Sequence, residues 1–191
     1  MSKFDEILYF WFGRPDETDY GKPRQFWFTK NLEFDREVQT RFQTDYELAA
    51  SGQLDNWKKS PRSCLALIIL LDQFPRNMFR EQAKAFATDS QALSAAKHAV
   101  NQGFDRELLP VQRWFIYLPF EHSETLEDQH QAVELNQQLS QYPECKDALK
   151  YAILHLKIIE QFGRFPHRNQ ILGRETTPEE AEFLKQPGSS F

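Results

Sequence analysis

Cysteine is scarce in this chain. Only Cys64 and Cys145 occur, 81 positions apart, which excludes a disulfide framework and a Cys-based zinc motif and leaves two reduced thiols as the simplest reading. Glycine is also sparse, seven residues in 191. No Gly-x-Gly-x-x-Gly turn and no Gly-x-Ser-x-Gly elbow is present, so dinucleotide binding and serine-hydrolase chemistry have no sequence support. Basic charge is in deficit, with a formal net charge of -5. A nucleic-acid binder would carry the opposite balance. Long apolar runs are missing: the longest, Leu65 to Leu71, is far too short to span a bilayer. The N-terminus, Met-Ser-Lys-Phe-Asp-Glu, has acids where a secretory signal would be basic and then apolar. A cytoplasmic protein with no membrane or nucleic-acid partner is therefore expected. Nothing in the sequence asks for a cofactor, and no heptad repeat points to an oligomeric state.

What remains is rich in material for a core. Hydrophobic residues make up 40% of the chain and aromatics 14%, with 17 Phe, so disorder is excluded. The length fits one domain over 1–191. Period-two alternation is absent and helical spacing recurs. Phe4, Ile7, Leu8, Trp11 and Phe12 form the first stripe, opened by Ser2 and closed by Gly13. Pro23 to Leu32 reads as a short aromatic helix. Asp35 is the expected cap of the next helix, which Gly52 closes. Ser60-Pro61 opens an element that is apolar all round. On length alone it could be a buried strand, but its helical start favours a central buried helix, ended by Pro75. Thr88-Asp89 is expected to cap a helix to Gln102. Pro110 opens another that Pro119 stops. Ser123 or Thr125 begins a polar helix, and a long one runs from about Glu144 to Phe162. Thr177-Pro-Glu-Glu180 is a capping box. The tail from Pro187 reads as loose, with Phe191 a candidate to pack. The fold class is all-α, built from antiparallel helix hairpins.

Two polar elbows interrupt this pattern. Leu71-Asp-Gln-Phe-Pro-Arg-Asn-Met-Phe-Arg80 and Phe162-Gly-Arg-Phe-Pro-His-Arg-Asn169 both leave an apolar helix through Phe-Pro into Arg and Asn. With Tyr9-Phe-Trp-Phe-Gly13, Ala85-Phe-Ala-Thr-Asp89 and Leu118-Pro-Phe-Glu-His-Ser-Glu124, they make the chain resemble the bacterial domain of unknown function nine-two-four family along nearly its whole length. The resemblance implies a tetratricopeptide-like α-α superhelix and implies no reaction.

The elbows supply the candidate ligand-binding set: Arg76, Asn77, Arg80, Arg164, His167, Arg168, Asn169 and Arg174. A guanidinium matches carboxylate or phosphate oxygens two at a time, so a cleft for a small anionic ligand is one expectation. The opposing one is that each Arg pairs with an internal acid such as Asp72, Asp89, Glu121, Glu124 or Glu160. The elbows are then structural locks in a scaffold for a protein or peptide partner. Glu121, His122 and Glu124 are the candidates for acid/base chemistry, since a carboxyl beside an imidazole can move a proton. His122 and Glu124 with His155 or His167 would be the nearest approach to a metal set, but no His-x-x-x-His pair is present. No metal ligand is assigned. His155 on an apolar face reads as a core histidine.

Overall fold

The computed structural model describes residues 1–189. Ser190 and Phe191 lie outside the described residues, so the expected packing of Phe191 is not addressed. Ser189 is buried and its hydroxyl donates to the Leu184 carbonyl at 3.1 Å.

The chain is all-α, with no strand among the described residues. Its helices are α1 (Lys3–Phe12), α2 (Leu32–Ala50), α3 (Pro61–Ile68), α4 (Phe74–Met78), α5 (Asp89–Asn101), α6 (Pro110–Glu121), α7 (Leu126–Gln137), α8 (Ala148–Phe162) and α9 (Pro178–Phe183). Neighbouring helices pack in sequence: α1 on α3, α2 on α4, α3 on α5, α5 on α6, α6 on α7 and α7 on α8. Among the described residues no helix is long and apolar enough to cross a membrane.

The central element is α3, as its lack of a polar face requires. Cys64 through Leu70 are wholly buried. Around it the aromatic residues form a continuous cluster in which Trp11, Phe12, Trp27, Phe42, Phe74 and Phe115 meet ring to ring. The Trp27 indole N–H donates to the Trp11 carbonyl at 3.0 Å, so the polar edge of a buried ring is satisfied. Gly13 (φ 84°) closes α1 where any Cβ would fall 2.1 Å from the Arg24 guanidinium. A smaller second core joins Ile158, Ile159 and Phe165 with Phe162 and Phe183.

Several boundaries differ from expectation. Pro75 does not end the central helix, and Phe74 stays helical at φ -61°, ψ -37°. The chain instead widens to a π turn over Ile69–Gln73, where the Phe74 N–H donates to the Ile69 carbonyl, and continues into α4. The carbonyl that Pro75 cannot serve, that of Leu71, accepts from the Thr88 hydroxyl at 2.6 Å. Thr88 is therefore occupied across the fold and gives α5 no side-chain cap. Pro119 likewise lies inside α6 rather than stopping it. Asn31, not Asp35, caps α2, its side chain accepting from the Glu33 and Phe34 N–H groups. Pro23–Leu32 contains only a single 3-10 turn, Gln25–Trp27. The long helix starts at Ala148, after a 3-10 turn at Pro143–Cys145. The capping box at Thr177 and Glu180 forms as expected.

Candidate functional site

The elbows deliver their side chains to several distinct carboxylates. On the first, Arg80 grips Asp35 with Nε on Oδ2 and Nη2 on Oδ1 (2.9 Å), while Asn77 Nδ2 donates to the same Oδ1 at 2.8 Å. These residues line a shallow groove of about 290 Å³ with Lys30 and Arg36. On the second, Arg164 holds Glu180 through two bonds (2.6 and 2.8 Å), and Asn169 Nδ2 adds a third at 3.1 Å. Glu180 consequently has a carboxyl pulled down to about 2, by the Arg164 bond first. Arg174 meets Glu124 at 2.7 and 3.1 Å, and the Phe165 N–H donates to Glu124 at 2.8 Å. The Glu124 carboxyl is lowered: burial opposes this, but Arg174 and Phe165 outweigh it.

The remaining members converge. Asp72, at the π turn, is wholly buried. Its Oδ1 accepts from His122 Nδ1 at 2.7 Å, and Arg76 Nη1 lies 3.3 Å from the same oxygen. Burial alone would raise this carboxyl; Arg76 and His122 hold it well below the usual range. Being ionised, Asp72 fixes the proton of His122 on Nδ1 and leaves Nε2 as the acceptor. Burial, with Arg76 beside it, keeps the His122 ring neutral by lowering its pKa. Arg76 also forms a two-point pair with Asp89, at the start of α5 (2.9 and 3.1 Å). Arg168, from the second elbow, reaches the same Asp89 at 3.4 Å and the His122 carbonyl at 3.1 Å.

Arg168 is the exception among the five elbow arginines. The other four each make a two-point or shorter contact with a carboxylate. Among the described residues both hydrogen bonds of Arg168 leave from Nη1, and its buried Nε has no partner. The guanidinium lies over two phenyl rings, 4.7 Å from the centroid of Phe86 and 4.5 Å from that of Phe165. The side chain is 8% exposed. Burial, with Arg76 next, brings its pKa down to about 10.

Arg168, His122, Ser123, Glu124 and Asp89 line an open groove of about 390 Å³ whose other wall is apolar. Arg76 borders it through Asp89. Asn77, Arg80, Arg164, His167, Asn169 and Arg174 are not among its lining residues, and neither is Glu121. Glu121 instead is sealed beneath the site. Its Oε1 accepts from Asn136 Nδ2 at 3.0 Å, its Oε2 lies 3.5 Å from His155 Nδ1, and burial pushes its carboxyl up to about 8. His155 Nδ1–H donates to the Tyr151 carbonyl at 2.8 Å, and burial drives its pKa down to about 3. His167 packs beside Phe165, lowered to about 4 by burial and then Arg168. Among the described residues no three His, Cys, Asp or Glu side chains gather as metal ligands would.

Sequence reasoning missed Asp35 and Glu180 as anchors, because each had already been read as part of a helix start. It also missed Thr88 and Asn136, whose partners lie far along the chain. The blocks Ala85–Asp89, Leu118–Glu124 and Phe162–Asn169 bring Asp89, His122 and Arg168 to this groove, and Leu71–Asn77 sets the buried Asp72 against His122. No curated protein matches the chain. Among solved structures, a protein of unknown function from Agrobacterium tumefaciens is 42% identical, with a TM-score of 0.83, over 95% of this chain and 96% of that one. Residues 7–188 match the family described as bacterial protein of unknown function (DUF924), and the chain belongs to that family.

Proposed function

We propose that this chain, acting as one domain, binds a small anionic ligand in the groove where α5, the end of α6 and the second elbow meet. The observation that carries the reading is Arg168. It is a cation with open hydrogen-bonding capacity, nearly buried, lining a groove, while each of its four companions holds a carboxylate at two points. Retaining a buried charge without a full complement of bonds is costly, so an unmet donor in a concave site is a reason to expect a ligand. His122 stands beside it with its tautomer fixed by Asp72. That arrangement suits His122 Nε2 to accept a proton from a bound ligand, with Asp72 stabilising the resulting imidazolium. Glu121, being sealed away, is assigned no part in that transfer.

The rival reading is a helical-repeat scaffold, tetratricopeptide-like in its superhelix, for a protein or peptide partner. It draws support from the four arginines that hold carboxylates at two points and tie segments of the chain together. The two roles are compatible if the locks hold Arg168 in place.

Thermal unfolding in the presence of phosphate, sulfate, small carboxylates and divalent metals separates them. A ligand at one hundred times its Kd should stabilise the protein by about 2.7 kcal/mol. For a chain of this length that raises Tm by roughly 5–10 °C. R168M should lose the effect. If no anion at millimolar concentration shifts the parent protein, the ligand site is wrong.

A further inference from the structure

The geometry points to a more specific ligand for this groove, resting on the reading just given: a monocarboxylate whose anionic head meets Arg168 and whose apolar body lies along Phe86, Leu93, Pro119 and Leu172. The head is set by charge and by hydrogen bonding. Around Arg168 stand Asp72, Asp89 and Glu124, matched in number by Arg76, Arg174 and Arg168 itself. The site is balanced, with His122 neutral. A dianion would leave it two charges in excess at short range, whereas a single carboxylate leaves one. The bonds of Arg168 leave from Nη1 alone and its unpartnered Nε is buried, so Nη2 is the donor left for a carboxylate oxygen. Phe86 and Phe165, both against the guanidinium, put apolar surface beside the bound head.

The body is set by the opposite wall. Phe86 and Leu93 are half-buried, Pro119 is buried, and Leu172 stands at the mouth 38% exposed. These side chains line the same groove as Arg168. An apolar segment laid over them removes their exposed surface from water along with its own, which inorganic phosphate cannot do.

Straight-chain alkanoates from acetate to octanoate, titrated calorimetrically into the purified protein, test this. Affinity should rise about two- to fourfold per added methylene, the range between half and full burial of each group. It should level off once the tail leaves the groove. Hexanamide, which keeps the tail and lacks the charge, should bind at least tenfold more weakly than hexanoate. R168M should abolish hexanoate binding. L172N, at an exposed position, should flatten the chain-length series while leaving acetate unchanged, and it guards against misfolding in the Arg variant. If acetate and phosphate bind as well as octanoate and R168M removes both, the apolar body is refuted and the anion site stands. If hexanamide equals hexanoate, or phosphate binds and no alkanoate does, the carboxylate assignment falls; if neither phosphate nor any alkanoate binds, the anion site falls with it.

Discussion

Thr88→Val tests how the central helix survives its own proline. Pro75 has no N–H for the Leu71 carbonyl, its helical acceptor. The Thr88 hydroxyl replaces it at 2.6 Å, in a position only 4% exposed. Valine keeps the shape and deletes the donor, leaving a buried carbonyl unsatisfied, which costs about 1–3 kcal/mol. Taking about 2 kcal/mol for a chain of this length, Tm should fall by roughly 4–8 °C. Urea unfolding followed by circular dichroism reads the same loss at constant m. Thr88→Ser should retain most of the stability. In a Pro75→Ala background the new N–H serves Leu71, so the cost of Thr88→Val should shrink by about 1 kcal/mol in a double-mutant cycle. An equal loss in both backgrounds, or a loss below about 0.5 kcal/mol in the parent, would refute the account.

Arg80→Met should lower Tm by several degrees, because it strips Asp35 of its two-point partner and leaves Asn77 alone on that carboxylate. Arg168→Met should cost little or stabilise: the folded pKa of Arg168 lies below its ordinary value, so holding that charge opposes folding at every working pH. Melting the two variants side by side checks the order, and equal losses would remove Arg168's distinction. Glu121 gives a pH signature. Its carboxyl is raised from 4.5 to about 8, so the folded state keeps a proton that the unfolded state has lost, and stability falls as pH rises through that window. Below pH 6.5 the lowered His155 and His167 act in the opposite sense. The clean interval is therefore about pH 6.5–8, where the parent should lose stability and Glu121→Gln should be flat by denaturant titration.

Much of the fold was legible because it rests on local rules. The apolar stripe of α1, the Ser60-Pro61 start and the Thr177 box each contain their own evidence within a few residues. The prolines misled for a definite reason. Pro75 and Pro119 are breakers in isolation, and what allows helix to continue past Pro75 is a donor from Thr88, 17 positions from the carbonyl it serves. Asp35 and Glu180 show the same limit. Each sits in the first turn of a helix, where an acid needs no further reason, yet each is the anchor for an elbow arginine. The elbows were visible as a set; which arginine lacks a two-point carboxylate pair was not, since that depends on Arg76 already holding Asp89.

The separate second core gives the C-terminal segment its own stability. Ile158, Ile159 and Phe165, with Phe162 and Phe183, enclose far less apolar surface than the cluster around α3. Regions with few buried contacts open at lower free energy than the whole molecule. The stretch from Gly163 through α9 is therefore expected to open before the rest unfolds, taking Arg168 with it, and faster amide exchange in α9 than in α3 checks this. The groove is in this sense a transient object, present only while that unit is docked. Anything that fills it draws the unit down by mass action, slowing amide exchange in α9 at a distance from the occupied site.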